Sequence, residues 1–207
     1  MQMTMKCHKC GSNRVGRIQY GMPAFDEALE RKIREEKIYL GGCCISGNDP
    51  KWHCFACKKN FGKPAVIREK EAVVPYAEAI TSISFECGGF FGGYQIVTMA
   101  KSDKGIFVSA IANSYEDHEG IQRKATDREW SGVIKKLYEE LCIHEWKRKY
   151  VDNDILDGTQ WSLRIKLTGG RERHYYGSNE FPILWDELTA VFKPFLEDAE
   201  KKMQQAR

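Results

Sequence analysis

Two Cys-x-x-Cys pairs constrain the fold of this chain more than any other feature. Cys7 and Cys10 form the first pair, and Cys54 and Cys57 form the second. Two intervening residues allow both thiolates of a tight turn to reach one ion, and two such turns supply the four sulfur donors that Zn²⁺ prefers. The pairs therefore predict a zinc site. Because four protein ligands leave no coordination position open, the expected role of the zinc is structural.

The distance between the two pairs predicts that the insert is itself folded. Forty-three residues separate Cys10 from Cys54, whereas compact sites of this type have roughly 15–20. Residues 38–40 read as a strand that returns the chain to the second pair. A helical apolar face precedes it and is made of Phe25, Ala28, Leu29 and Ile33.

Four further donors lie near the pairs. Either His8 or His53 is an alternative ligand in place of a neighbouring cysteine, although the softer sulfur is favoured. Cys43 and Cys44 follow a Gly-Gly dipeptide, and we expect them to be small buried residues. A second metal site or a redox pair is the alternative for these two, but adjacent cysteines form a strained disulfide.

The composition is that of a globular protein, with 42% hydrophobic and 29% charged residues in 207, which excludes general disorder. No apolar run approaches the roughly 20 residues that cross a bilayer. The first six residues have no apolar core of the kind found in signal peptides. We therefore expect a cytoplasmic protein without membrane contact, in a compartment where thiols stay reduced.

Charge is unevenly distributed along the chain. Residues 1–62 carry 11 Lys and Arg against 6 Asp and Glu, and the remainder carries 21 against 23. A basic amino-terminal module is compatible with nucleic-acid contacts, but a nucleic-acid footprint is usually more basic and more clustered. We expect a macromolecular partner and favour protein over nucleic acid.

A series of motifs in the amino-terminal module extends beyond the two pairs. The motifs are Cys7-x-x-Cys10-Gly-Ser, Tyr20-Gly-x-Pro23, Leu40-Gly-Gly-Cys43 and Trp52-x-Cys54-x-x-Cys57. Over roughly residues 1–60, the series resembles the zinc-ribbon module of uncharacterised bacterial zinc-ribbon domain-containing proteins. The resemblance implies a zinc-bound β-ribbon with a helical insertion and implies no activity. Cys43 recurs in that module, which makes it the more interesting additional thiol.

The chain is predicted to consist of a zinc ribbon at 1–62, a linker at 63–80 and an α+β domain at 81–207 of no recognised family. Alternating apolar and polar residues predict strands in the last part. They begin near residue 81 and continue at Tyr94–Ala100, Ile106–Ala112, Trp161–Leu167 and Arg171–Gly177. The polar stretch Asn113–Lys124 is expected to be a loop.

Two helices are expected to pack against this antiparallel sheet. Thr126 and Glu129 form a capping-box pattern, followed by apolar residues at helical spacing as far as Cys142. Pro182 opens a final helix, which Pro194 is predicted to end or bend, leaving a frayed polar tail.

Two places in the second module are candidates for partner contact. Phe90 and Phe91 lie between two Gly-Gly pairs, a pattern typical of a hairpin tip with an exposed aromatic anchor. Arg171 and Arg173 lie on a strand with aromatic neighbours. Together with Arg164 and Lys166 on the adjacent strand, they are candidates for stacking on a single nucleic-acid strand and neutralising it.

The leading functional hypothesis is a non-enzymatic zinc-ribbon protein that serves as a binding or adaptor module for protein or nucleic acid. The alternative is a hydrolase or nuclease on the α+β domain, with contributions from Cys87, Asp152, Asp154 and His174. A concave pocket that gathers these side chains favours the enzyme. A component of a phage–host defence or counter-defence system is a third hypothesis, and it is based on chain size and layout alone.

Overall fold

The computed structural model describes residues 5–68, 73–89, 92–115, 120–155 and 158–205. Within these ranges the chain is mixed α and β, with more strand than helix. Phe90 and Phe91, the predicted contacts at a hairpin tip, lie outside the described residues. No helix in the described ranges is long and apolar enough to span a membrane.

The amino-terminal module contains a four-stranded sheet in the order β2-β1-β3-β4. β1 and β2 are parallel, and the other neighbours are antiparallel. A helix, α1 at Glu27–Arg34, is inserted between β1 and β2, and the Asp26 carboxylate caps it by accepting a hydrogen bond from the Leu29 N–H at 2.7 Å. The strands are β1 Val15–Gln19, β2 Ile38–Leu40, β3 Trp52–Cys54 and β4 Lys59–Phe61.

One residue of the predicted helical face lies outside α1. Phe25 precedes the Asp26 cap and is 68% exposed, whereas Leu29 is buried. The prediction for Phe25 was wrong because the cap, and not the apolar spacing, determines where the helix begins.

The segment predicted as a linker contains regular structure. β5 at Val66–Arg68 and β6 at Val73–Pro75 form a two-stranded sheet, and α2 follows at Tyr76–Ala79. Ile67 and Tyr76 are buried in the main core of the second module. This segment therefore packs as part of that core.

The second module is built on a seven-stranded sheet in the order β10-β9-β8-β7-β12-β13-β11. All neighbours are antiparallel except β11 and β13. The strands are β7 Ile80–Gly89, β8 Gly93–Ser102, β9 Gly105–Ile111, β10 Ile121–Ala125, β11 Lys149–Val151, β12 Gln160–Leu167 and β13 Glu172–Ser178.

The polar stretch Asn113–Lys124 was predicted to be a loop, but its last part belongs to strand β10. Ile121 pairs with Ala110 and Ala125 pairs with Ile106 at one edge of the sheet. An edge strand with one face in water needs few apolar residues, so its polar composition concealed it.

One face of the large sheet forms the core with two helices, α3 at Asp127–Lys135 and α4 at Trp185–Gln205. The ring of Phe85 on β7 stacks on that of Phe192 on α4, with 4.6 Å between centroids. The opposite face, called the open face below, has no described helix packed on it. The fully buried side chains of the core face include Ile83, Phe85, Val97, Met99, Val108, Leu163 and Ile165.

The predicted capping box at the start of α3 is confirmed. Thr126 accepts from the Glu129 N–H, and the Glu129 carboxylate accepts from the Thr126 N–H. The helix continues through a wide π-turn at Lys136–Glu140 and ends before Cys142, whose φ is 51°.

Pro194 does not end the last helix, and the predicted frayed tail is wrong, because α4 continues to Gln205. An interior proline costs about 3 kcal/mol. Beyond it, Phe195, Leu196 and Ala199 are buried in the core, and this burial offsets the cost.

Candidate metal centre

The four predicted ligands converge on one point. All their Sγ atoms lie within 4.8 Å of one another. The Cys7–Cys57 and Cys10–Cys54 sulfur pairs are 3.8 Å and 3.6 Å apart. A regular tetrahedron with metal–sulfur bonds of about 2.3 Å has edges of about 3.8 Å. The set therefore fits a tetrahedral metal ion of zinc size.

The two pairs have nearly the same backbone geometry. The Gly11 N–H donates to the Cys7 carbonyl at 2.8 Å, which closes the first turn. The residue after each pair is left-handed, with φ of 73° at Gly11 and 56° at Lys58. Glycine adopts this conformation freely. Lysine adopts it at a conformational free-energy cost of about 1–2 kcal/mol, and Lys58 is nevertheless left-handed in the second turn.

Backbone N–H groups also point at the first sulfur of each pair. Burial raises the pKa of Cys7 to about 12, against the opposing effect of N–H groups from Lys9 and Cys10. Burial also acts on Cys54, but there the N–H groups of Cys57 and Ala56 prevail and lower the pKa to about 7. Four thiolates within 4.8 Å repel strongly, and a divalent cation relieves that repulsion.

The surrounding structure fixes the sulfurs in place. Cys54 ends β3, where it is paired with Val15 on one side and Lys59 on the other. Cys7 and Cys54 are both completely buried, and they share a small core with Phe61. Strand pairing thus holds Cys54 in the sheet, and the small apolar cluster packs against both buried cysteines.

Neither alternative histidine joins this set. His8 Nε2 lies 3.1 Å from the Glu145 carboxylate, and His53 Nδ1 lies 2.6 Å from Asn60 Oδ1. His53 also stacks on Tyr39, with 3.7 Å between ring centroids. Among the described residues, the candidate metal cluster consists of the four cysteines alone.

The first cysteine pair also contacts the second module. The Glu145 carboxylate accepts from His8 and from the Lys63 N–H, the latter at 2.7 Å. Burial alone would raise the pKa of Glu145, but these two donors hold it below its usual value. The His144 Nε2–H donates to the Lys63 carbonyl at 2.8 Å. Sequence reasoning missed this contact because residues 143–149 have no periodic pattern.

Cys142 and Lys6 extend the same interface. Cys142, predicted as core, is buried beside Phe61, and burial raises the pKa of its thiol to about 12. Lys6 forms an ion pair with Glu187 at the start of α4. The metal site therefore lies between the amino-terminal sheet and the helical layer of the second module.

Cys43 and Cys44 do not lie in a core. Both are exposed, with 3.9 Å between their sulfurs, so the expectation of burial was wrong. They lie in the loop after β2, where the neighbouring apolar side chains of Leu40 and Ile45 are themselves exposed. Within the described ranges no second cluster of metal ligands includes them.

The loop that holds these cysteines lies beside an apolar surface, called the apolar tip below. The Gly21 N–H donates to the Gly42 carbonyl at 3.1 Å, which joins the loop before α1 to the loop after β2. Four apolar side chains in or next to these loops are exposed: Met22 by 93%, Phe25 by 68%, Ile45 by 71%, and Leu40, the last residue of β2, by 40%. No sequence pattern identified this surface, since isolated apolar residues in loops have no periodicity.

The two arginines predicted as partner contacts differ in position. Arg173 lies on β13 at the core face, and its guanidinium donates to the Tyr76 hydroxyl at 3.0 Å and lies over the Tyr76 ring. Arg171 is exposed in the turn between β12 and β13. A partner contact at either residue stays a prediction.

The residues of the enzyme hypothesis do not assemble. Cys87 packs against the core, and burial raises its pKa. His174 lies on the open face, 3.0 Å from the Ser162 hydroxyl. A cavity of about 750 Å³ opens beside Cys87, and its described lining contains neither His174 nor the two aspartates, Asp152 and Asp154.

Comparison of the chain with protein-family models, with curated proteins and with solved structures finds no match.

Proposed function

We propose that this chain is a zinc-ribbon protein that acts by binding a macromolecular partner, and that its zinc is structural. The observation that carries the proposal is the set of four sulfurs within 4.8 Å. Four thiolates complete a tetrahedral shell, so a bound ion has no position for a substrate or an activated water. The ion then stabilises the fold and does not supply chemistry.

Zinc is the metal that suits the donors best. Soft thiolates select zinc, copper(I) or iron, and tetrahedral four-sulfur geometry is typical of zinc or iron–sulfur sites. The sulfur separations of 3.6 Å and 3.8 Å match a single ion bound at about 2.3 Å. All eight cysteines are free thiols, which suits the reducing cytoplasm as the place of action.

The apolar tip supports a protein partner for the ribbon. Its four side chains are uncharged, and they lie in or next to two loops that a backbone hydrogen bond joins. Exposed apolar clusters of this kind mark protein interaction sites more often than nucleic-acid sites, which need cations. The partner is thus proposed to place an apolar surface over Met22 and Ile45.

Two measurements test the proposal. Elemental analysis of the purified chain should find one zinc ion per chain, and the absence of a stoichiometric transition metal contradicts the zinc assignment. Affinity purification from the native cell should then recover a protein with the wild-type chain and lose it with Met22→Ser/Ile45→Ser. A matched control, Lys32→Ala/Lys59→Ala, changes exposed residues on α1 and β4 and should retain the protein. Equal recovery by the tip variant contradicts binding at the apolar tip.

A further inference from the structure

The open face of the seven-stranded sheet is a second surface, and unlike the apolar tip it carries charged and hydrogen-bonding side chains. Strand register places every second residue of each strand on this face, opposite the buried core. In the middle, Ser84 is paired with Thr98 at 2.9 Å, and Ser162 lies 3.0 Å from His174. These hydrogen bonds join neighbouring strands. β8 and β9 place apolar side chains, Ile96 among them, on the same face, so its most polar part lies at β12, β13 and β11.

Cations outnumber carboxylates on this face. The described cations are Lys124 on β10, Lys149 on β11, and Arg164 and Lys166 on β12. The described carboxylates are Glu86 on β7 and Glu172 on β13. Three of the four cations lie on β11 and β12, which flank β13. The face therefore suits a polyanion, and its positive charge is concentrated at one end of the sheet.

Two aromatic rings lie among these cations. His174 and Tyr176 are successive outward residues of β13, with ring centroids 5.0 Å apart. Tyr176 is 38% exposed, and its register partners are Lys149 on β11 and Ser162 on β12. Burial and the nearby Arg164 guanidinium lower the pKa of His174, which favours the neutral ring. Planar rings between cations suit bases that stack while their phosphates are neutralised.

We propose that the β11-β13-β12 part of the open face binds single-stranded nucleic acid. Bases stack on Tyr176 and His174, and phosphates lie against Lys149, Arg164 and Lys166. A duplex keeps its bases paired and stacked on one another, so it cannot use the two rings. The four steps along the strand from Ser162 to Lys166 span about 13 Å at 3.3 Å per residue, which is room for two or three nucleotides.

This inference extends the proposed function, because it gives the second module its own ligand independently of the apolar tip. Arg164→Gln/Lys166→Gln removes two phosphate contacts, and Tyr176→Ser removes a stacking ring, whereas Tyr176→Phe preserves it. The matched charge control is Lys193→Gln/Lys201→Gln, two exposed lysines on α4 at the other side of the sheet. All variants are made in the full chain, and circular dichroism and thermal melting verify that each is folded.

The experiment is fluorescence anisotropy with labelled dT and U octanucleotides, between about 50 and 200 mM salt. The wild-type chain should bind, and Arg164→Gln/Lys166→Gln should lower the slope of log K against log salt by about 1.4, at about 0.7 per phosphate contact. Tyr176→Ser should weaken binding on the order of tenfold. Tyr176→Phe and the α4 control should match the wild type.

Three outcomes overturn the inference: no binding at the low salt concentration, an unchanged slope in Arg164→Gln/Lys166→Gln, or equal affinity for a duplex of the same length. In each of these cases the ribbon proposal still stands, because Met22→Ser/Ile45→Ser tests it separately. Conversely, the chain could bind the oligonucleotides while Met22→Ser/Ile45→Ser recovers as much protein as the wild type. That result would refute only the proposed protein partner of the ribbon.

Discussion

His8, inside the first cysteine pair, is hydrogen-bonded to Glu145 of the second module, with 3.1 Å between Nε2 and Oε2. Glu145 follows the helix α3 and also accepts the Lys63 N–H, so one carboxylate joins the metal turn to the start of the connecting segment. The two modules therefore share a polar contact at the place where the metal site is formed.

Loss of one sulfur ligand should unfold the amino-terminal module. Cys54 is completely buried and belongs to both the donor set and the sheet. Structural zinc contributes on the order of 10–16 kcal/mol in small zinc peptides, so Cys54→Ser should release the ion and melt this module. Zinc content and thermal melting measure the effect. Cys43→Ser, at an exposed thiol, is the control and should retain both, whereas a Cys54→Ser chain with unchanged zinc content would argue against the site.

Glu145→Ala should weaken the packing of the two modules. The change leaves His8 and the Lys63 N–H without their acceptor, and an unpaired buried polar group costs about 1–3 kcal/mol. Urea unfolding should show that the free energy of unfolding falls by that amount. Glu139→Ala, at an exposed glutamate on the preceding helix, should change the free energy of unfolding by less than about 0.5 kcal/mol. Equal losses in the two variants would show that the contact does not join the modules.

Stability should fall in acid through Glu129. The Arg123 guanidinium and the Thr126 N–H lower the pKa of this carboxyl to about 2 in the folded chain, against about 4.3 in an unfolded one. A lowered folded pKa means that its contribution is fully present above about pH 5 and is lost as the pH falls toward 2. Urea midpoints for wild type and Glu129→Gln should converge over that range. A constant difference between the two at every pH would contradict the ion pair.

Phe192→Ala should destabilise the second module by about 3–5 kcal/mol, the usual cost of removing a buried aromatic ring. The side chain is completely buried and stacks on Phe85, so truncation leaves a cavity between helix and sheet. Chemical denaturation measures the loss. Lys193→Ala, at the next and exposed position of α4, should have little effect, because alanine is at least as good a helix former as lysine. A similar loss there would contradict the packing explanation.

Features determined by local chemistry were predictable from the sequence. The spacing within each cysteine pair, the Thr126–Glu129 capping box and the alternation along β12 each depend on residues close together in the chain. Their structures follow from short-range geometry, so sequence reading and structure agree.

Features determined by tertiary packing were not predictable. β10 is polar and exists because β9 offers it an edge, and α4 passes Pro194 because buried residues on both sides hold it against the sheet. Cys43 is exposed, and its loop contributes no residue to either core cluster of the described chain. In each case the deciding atoms belong to distant parts of the chain, where local propensity carries no information.

The π-turn at Lys136–Glu140 has a consequence for how the chain is assembled. It adds a residue to one turn of the helix and is followed by Cys142 in a left-handed conformation, which directs the chain away from the sheet and toward Phe61. Cys142 is buried beside Phe61, and Glu145 reaches His8 inside the first cysteine pair. The irregular helix end thus places both residues against the amino-terminal module, and we expect a change that regularised it to disturb these contacts first.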